Sequence, residues 1–129
     1  MSENKGKLIL VVDDEEDVIA YLSSLLEDHG YTTLSARNGA EGFRLAQENH
    51  PALISLDITM PAQSGVRMFR DLQENEKTAD IPVIIVTGVA HDFKQFLESR
   101  RQVKPPAGYF EKPIDKDEFI SKVKEIIGN

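Results

Sequence analysis

Residues 7–17 read KLILVVDDEED: five apolar side chains in a row, Leu8 to Val12, stopping abruptly on two aspartates, two glutamates and a third aspartate. A short continuous apolar run of this kind suits a strand buried on both faces, whereas a strand with one wet face would alternate apolar and polar residues. The next segment, Glu15–His29, changes period. Ile19, Leu22, Leu25 and Leu26 fall on one helical face, and Gly30 supplies a helix stop.

The same strand-then-helix phrase recurs along the chain. Tyr31–Ala36 reads as a strand, and Asn38–Asn49 as a helix with Asn38 as its N-cap and Pro51 just beyond its end. Ala52–Asp57 (ALISLD) is a second buried-strand run ending on an acid, and Ser64 is placed to cap a helix to about Asn75 with Val66, Phe69 and Leu72 inward. Ile81–Thr87 (IPVIIVT) reads as a strand with Pro82 at its entrance, where a lost donor is tolerated. Asp92–Arg101 follows as a helix burying Phe93, Phe96 and Leu97, and Val103–Ala107 (VKPPA) must be loop. Gly108–Glu111 is a short fifth strand, and Asp115–Ile127 closes as a helix packing Phe119, Val123, Ile126 and Ile127. Strands joined through helices cannot pair as hairpins. They predict an α/β fold, a doubly wound parallel sheet covered on both faces, because five units cannot close a barrel.

A chain of 129 residues fits one domain, with 40% hydrophobic and 29% charged residues. No apolar run approaches the roughly 20 residues of a membrane span, so no membrane insertion is expected. Cysteine is absent, which removes disulfides, thiolate catalysis and cysteine-ligated zinc, and suits a reducing cytoplasm. The net charge is −7, which argues against nucleic acid as a partner. That acidity is concentrated in residues 1–90, which hold 7 basic and 15 acidic residues. His29, His50 and His91 have no ligand spacing and read as surface groups.

In open α/β sheets, ligands sit at the carboxyl ends of the strands. There the sequence puts Asp13–Asp14 after the first strand, Asp57 after the third, Thr87–Gly88 after the fourth and Lys112–Pro113 after the fifth. An acid at one strand end is commonly only a helix cap, and Asp14 before Asp17 reads that way by itself. Three carboxylates, a hydroxyl and an ammonium at separate strand ends make a different pattern. Such acids cannot all stay ionised unless a cation relieves them, and a few oxygen ligands open to solvent suit Mg²⁺.

The chain resembles the receiver domain of two-component response regulators from Leu8 to the last helix. The likeness rests on Asp13–Asp14 after LILVV, LDITMP around Asp57 with Gly65 beyond, Thr87–Gly88 after PVIIV, and YFEKPI around Lys112. It implies a flavodoxin-like sheet in the order 2-1-3-4-5 with five helices. It implies that Asp57 accepts a phosphoryl group from a sensor histidine kinase or phosphotransfer protein, and that Asp14, Asp57 and the Thr59 backbone carbonyl ligate Mg²⁺ directly while Asp13 acts through water. Lys112 pairs with Asp57 at rest and with a phosphoryl oxygen afterwards. The resemblance further implies that Thr87 donates to another phosphoryl oxygen, that Gly88 leaves it room, and that Tyr109 turns inward as the switch aromatic. The Lys112–Pro113 bond is expected to be cis. Output then runs through the surface of the fourth helix, fifth strand and last helix to an unknown downstream protein, as a monomer or a phosphorylation-dependent dimer.

The whole chain, with a core of about residues 7–127, is expected to be one stand-alone receiver domain without an output domain, cytoplasmic and not an enzyme beyond its own phosphorylation and slow dephosphorylation. An aspartyl-phosphate phosphatase of the haloacid-dehalogenase type places its nucleophile on the first strand, usually with a second Asp two residues on; here Thr59 follows Asp57. A flavodoxin-like nucleotide binder needs a phosphate loop after the first strand, where Glu15 and Glu16 would repel a phosphate. A phosphate-independent binding module would not need the full set of site residues. The stretch between Thr87 and Lys112, containing RRQVKPP, looks a few residues longer than usual, and AQSG replaces a more acidic loop before Gly65.

Thr59, and Val89 two residues after Thr87, offer neither amide nor acid to orient a hydrolytic water. A phosphorylated sample is therefore expected to release phosphate with a half-life of many minutes or longer in a simple time course; decay within seconds contradicts this reading.

Overall fold

The computed structural model describes residues 7–61, 64–88 and 105–128. Five parallel strands form one sheet: β1 (Leu8–Val12), β2 (Thr32–Ala36), β3 (Leu53–Asp57), β4 (Val83–Thr87) and β5 (Gly108–Glu111), in the order β2-β1-β3-β4-β5. The helices are α1 (Glu16–Asp28), α2 (Gly39–Asn49), α3 (Ser64–Glu74) and a C-terminal helix (Lys116–Ile127). The helix expected over Asp92–Arg101 lies outside the described residues, as does most of RRQVKPP.

The central strands β3 and β4 are buried at every residue, as their unbroken apolar runs require. Alternate side chains feed two cores. Leu10, Val12, Ile54, Leu56, Val83 and Ile85 meet Ala46, Met68, Phe69 and Leu72 of α2 and α3. On the other face, Ile9, Val11, Leu53, Ile84 and Val86 meet Leu22 and Leu26 of α1 and Phe119, Ile120 and Val123 of the C-terminal helix.

Local chemistry sets the helix ends. Asn38 caps α2 by accepting from Glu41 N at 2.8 Å, and Asp115 caps the C-terminal helix by accepting from Glu118 N at 3.0 Å. Gly30 takes φ 92° after α1, a left-handed geometry that a side chain would strain. Ser64 departs from expectation. It is the first residue of α3 and not its cap, and its hydroxyl accepts from Gly39 N at 3.2 Å, tying the starts of α2 and α3 together. A Cβ on Gly39 would stand 2.1 Å from the Ser64 carbonyl oxygen, so the two helices approach closely only because Gly39 has none.

Phe119 is fully buried and meets Phe110 of β5 edge to face, with centroids 5.5 Å apart. Phe119→Ala is expected to cost about 3–5 kcal/mol, a large fraction of the roughly 5–15 kcal/mol that stabilises such a domain. Urea unfolding midpoints measure it; a variant as stable as the wild type would contradict this packing.

Candidate functional site

The carboxyl edge of the sheet gathers the residues singled out in the sequence. Backbone bonds extend the strand ladders past their ends into this edge: Asp13 N donates to Ala36 O, Ile58 N to Val86 O and Lys112 N to Thr87 O. Asp13, Asp14 and Asp57 each present a carboxylate oxygen within 4.8 Å of the others. Asp13 and Asp57 are buried, with side chains 2% exposed, while Asp14 is open to solvent.

Lys112 reaches in from the end of β5, the residue directly after it. Its Nζ lies 3.0 Å from Asp13 Oδ2, 3.3 Å from Asp57 Oδ2 and 3.2 Å from Glu15 Oε1. The Lys112–Pro113 peptide is cis, as expected. Burial pushes the Asp13 carboxyl above its ordinary value; the Glu15 N–H opposes this, the charge of Asp57 adds to it, and Lys112 offsets only part. For Lys112, burial acts against the ammonium, but the hydrogen bond to Asp13 and the charges of Asp57 and Asp13 outweigh it and hold the group above its usual value. The rim is a strained set of negative charges held by one fixed positive charge.

Each Asp57 oxygen has its own neighbour. Oδ2 faces Lys112, while Oδ1 accepts from Thr59 N at 2.8 Å and from Thr59 Oγ1 at 2.6 Å. The family resemblance assigns Thr59 a backbone role alone. An Asp followed two residues later by Thr carries the signal for its side chain, since both form local turns by side-chain hydrogen bonding. Glu15 is likewise not expected from the sequence as a partner of Lys112; 97 residues of chain separate them, and no sequence signal pairs them.

Gly65 is required by close approach. A Cβ there would stand 2.2 Å from the Asp57 carbonyl oxygen and 2.7 Å from Ile58 Cα, so α3 packs directly on the backbone carrying Asp57. Beside Gly88, among the described residues, a Cβ would meet nothing within 4 Å. Thr87 is fully buried at the end of β4. Tyr109 pairs in register with Ile85, so Tyr109 and Thr87 stand on the same sheet face on neighbouring strands, and Tyr109 packs partly buried against the α2–α3 core. Met60 is buried there too. His29 and His50 are exposed, with ring nitrogens near Leu25 O and Asp80, and His91 is outside the described residues.

The donor set is all oxygen, anionic beyond what one lysine neutralises, and open through Asp14. It fits a hard divalent cation.

Fold and site together define a class: doubly wound α/β domains with an acidic centre at the carboxyl edge of a 2-1-3-4-5 sheet. The sequence profile of the response regulator receiver domain matches residues 9–124. The chain belongs to that family, whose members act as phosphorylation-dependent signalling switches and generally hold Mg²⁺ at an acidic aspartate cluster. It is 37% identical over 123 residues to the polar-differentiation response regulator DivK of Brucella ovis, covering 95% of this chain and 98% of DivK. It is 32% identical over 119 residues to protein PilH of Pseudomonas aeruginosa, covering 92% and 96% of the two chains. Among solved structures, the signal receiver domain of a signal transduction histidine kinase from Syntrophus aciditrophicus superposes with a TM-score of 0.82 at 30% identity, over 95% of this chain and 90% of that one.

Because the folded-state pKa of Asp13 is raised above 3.8, its protonation stabilises the fold below that pH, and this contribution is lost as pH rises through the folded value. At neutral pH the Asp13 charge therefore opposes folding. Asp13→Asn is expected to raise Tm in chelator. A lower Tm than wild type in chelator would show that the Lys112 pairing outweighs the burial of the charge.

Proposed function

We propose that this protein is a phosphorylation-activated switch that accepts a phosphoryl group on Asp57 from a histidine kinase or phosphotransfer protein. The observation that carries this reading is the convergence of three carboxylates within 4.8 Å, with the Lys112 ammonium among them. In this reading Asp14, Asp57 and the Thr59 carbonyl hold Mg²⁺ and Asp13 holds it through water. When bound, the ion offsets charge on the transferring phosphoryl group.

The chain's own residues do the rest. An Asp57 oxygen attacks phosphorus, an O–P bond forms, and the donor's P–N bond breaks with its electron pair leaving on the imidazole. Lys112 turns an N–H to a phosphoryl oxygen, and the Thr87 hydroxyl donates to another. The group adds up to about two negative charges and three acceptor oxygens. Thr87 moves toward it, and Tyr109, on the same sheet face one strand away, follows into the space behind. That coupling alters the surface to which β5 and the C-terminal helix contribute, where a downstream protein docks. The only turnover is loss of the protein's own phosphoryl group. A single-domain cytoplasmic protein fits the lack of cysteine; among the described residues no helix is long and apolar enough to cross a membrane.

Labelled acetyl phosphate with Mg²⁺ is expected to phosphorylate the wild type and not Asp57→Asn. Chelator should abolish labelling, and Mg²⁺ at ten times its Kd should stabilise the wild type by about 1.4 kcal/mol. Undiminished labelling of Asp57→Asn would move the acceptor elsewhere.

A further inference from the structure

In the phosphoryl-acceptor reading Asp57 has two tasks and one carboxylate oxygen for each: one oxygen ligates Mg²⁺ while the other attacks phosphorus. At rest Oδ1 is ready for neither. A carboxylate oxygen offers about two lone-pair sites, and both on Oδ1 are taken, one by Thr59 N at 2.8 Å and one by Thr59 Oγ1 at 2.6 Å. The hydroxyl bond is the shorter, within the range of about 2.5–2.7 Å for an O–H donating to a charged oxygen. Oδ2 accepts from Lys112 Nζ at a looser 3.3 Å. Whichever oxygen takes the metal and whichever attacks, Oδ1 has to give up one Thr59 bond first.

The two bonds are unequal. The N–H belongs to the backbone turn from Asp57 to Thr59, and moving it would disturb the residue whose carbonyl is read as a metal ligand. The hydroxyl turns away about one side-chain torsion, and Thr59 is only half-buried, so water can take up the released O–H. We propose that the Thr59 side chain is a latch on the acceptor, its hydroxyl closing one lone pair of Asp57 Oδ1 at rest and swinging off before phosphoryl transfer. The proposal rests on the acceptor reading of Asp57 and adds to the backbone role of Thr59 one for its side chain. Thr59 is here a positioning residue. Its hydrogen bond stabilises the resting site, and breaking it is part of the work of turning the switch on.

The test compares Thr59→Val, which keeps the branched shape and loses the donor, with Thr59→Ser, which keeps the donor. Neither changes the charge of the site, so no difference between them is electrostatic. With Mg²⁺ well below its Kd, the initial rate of labelling by acetyl phosphate depends on both tasks of Asp57. Thr59→Val is expected to raise that rate about two- to tenfold, the net worth of one hydrogen bond, and Thr59→Ser to stay with the wild type. Direct calorimetric titration with Mg²⁺ then locates the gain. A tighter Mg²⁺ Kd in Thr59→Val shows that Oδ1 is the metal-facing oxygen; an unchanged Kd with faster labelling at saturating Mg²⁺ shows that it is the attacking one. Should Thr59→Val fail to give a cooperative thermal melt, Thr59→Ala removes the same donor. A rate equal to or below the wild type in the donor-free variant overturns the proposal, as does an equal gain in Thr59→Ser. A wild type that is not labelled at all sinks the acceptor reading and this inference with it, whereas a wild type that labels beside an unresponsive Thr59→Val sinks the inference alone.

Discussion

A lysine ammonium set among carboxylates that water barely reaches is the constraint on which this molecule turns. Asp13 and Asp57 stand at the ends of neighbouring strands and are almost wholly covered. Burying two like charges a few ångströms apart is costly in any medium less polarisable than water. Lys112, from the strand on the far side of β4, is the group that makes the arrangement tolerable. Its own burial acts against the ammonium, and the surrounding carboxylates outweigh that and hold it above its usual value. Each member thus depends on the others, and the sheet must hold them in place.

The packing shows how it does so. Two apolar cores clamp the sheet between α2 and α3 on one face and α1 and the C-terminal helix on the other. The ladder bonds from Ile58 N and Lys112 N carry the strand geometry one residue past β3 and β5, into the site. Gly65 lets α3 settle against the backbone of Asp57 and Ile58. Hydrophobic burial supplies the free energy, and the rim spends part of it on charges poised for chemistry.

Much of the fold could be read in advance because its signals are local. Continuous apolar runs marked β1, β3 and β4, a 3.6-residue period marked the helices, and Asn38 and Gly30 marked helix ends by their own conformational preferences. The reading of Ser64 as a cap failed for a tertiary reason: its hydroxyl serves Gly39, 25 residues away, in a contact between two helices. The partner of Glu15 is set by tertiary structure in the same way. An acid beside an acidic pair looks like one more solvated charge until β5 brings a lysine to it.

The order of residue types along the chain determined which groups stand at strand ends, since a strand buried on both faces must stop where charge begins. The order of residue types alone therefore places the acids, the threonine and the lysine at one edge of one sheet. What the tertiary structure decided is the pairing among them: which oxygen of Asp57 faces Thr59 and which faces Lys112, and that Glu15 also accepts from the ammonium. Periodicity places a residue on a face and at an end. Distances between strands far apart in sequence follow from sheet order, register and helix packing, and those are properties of the whole assembled core.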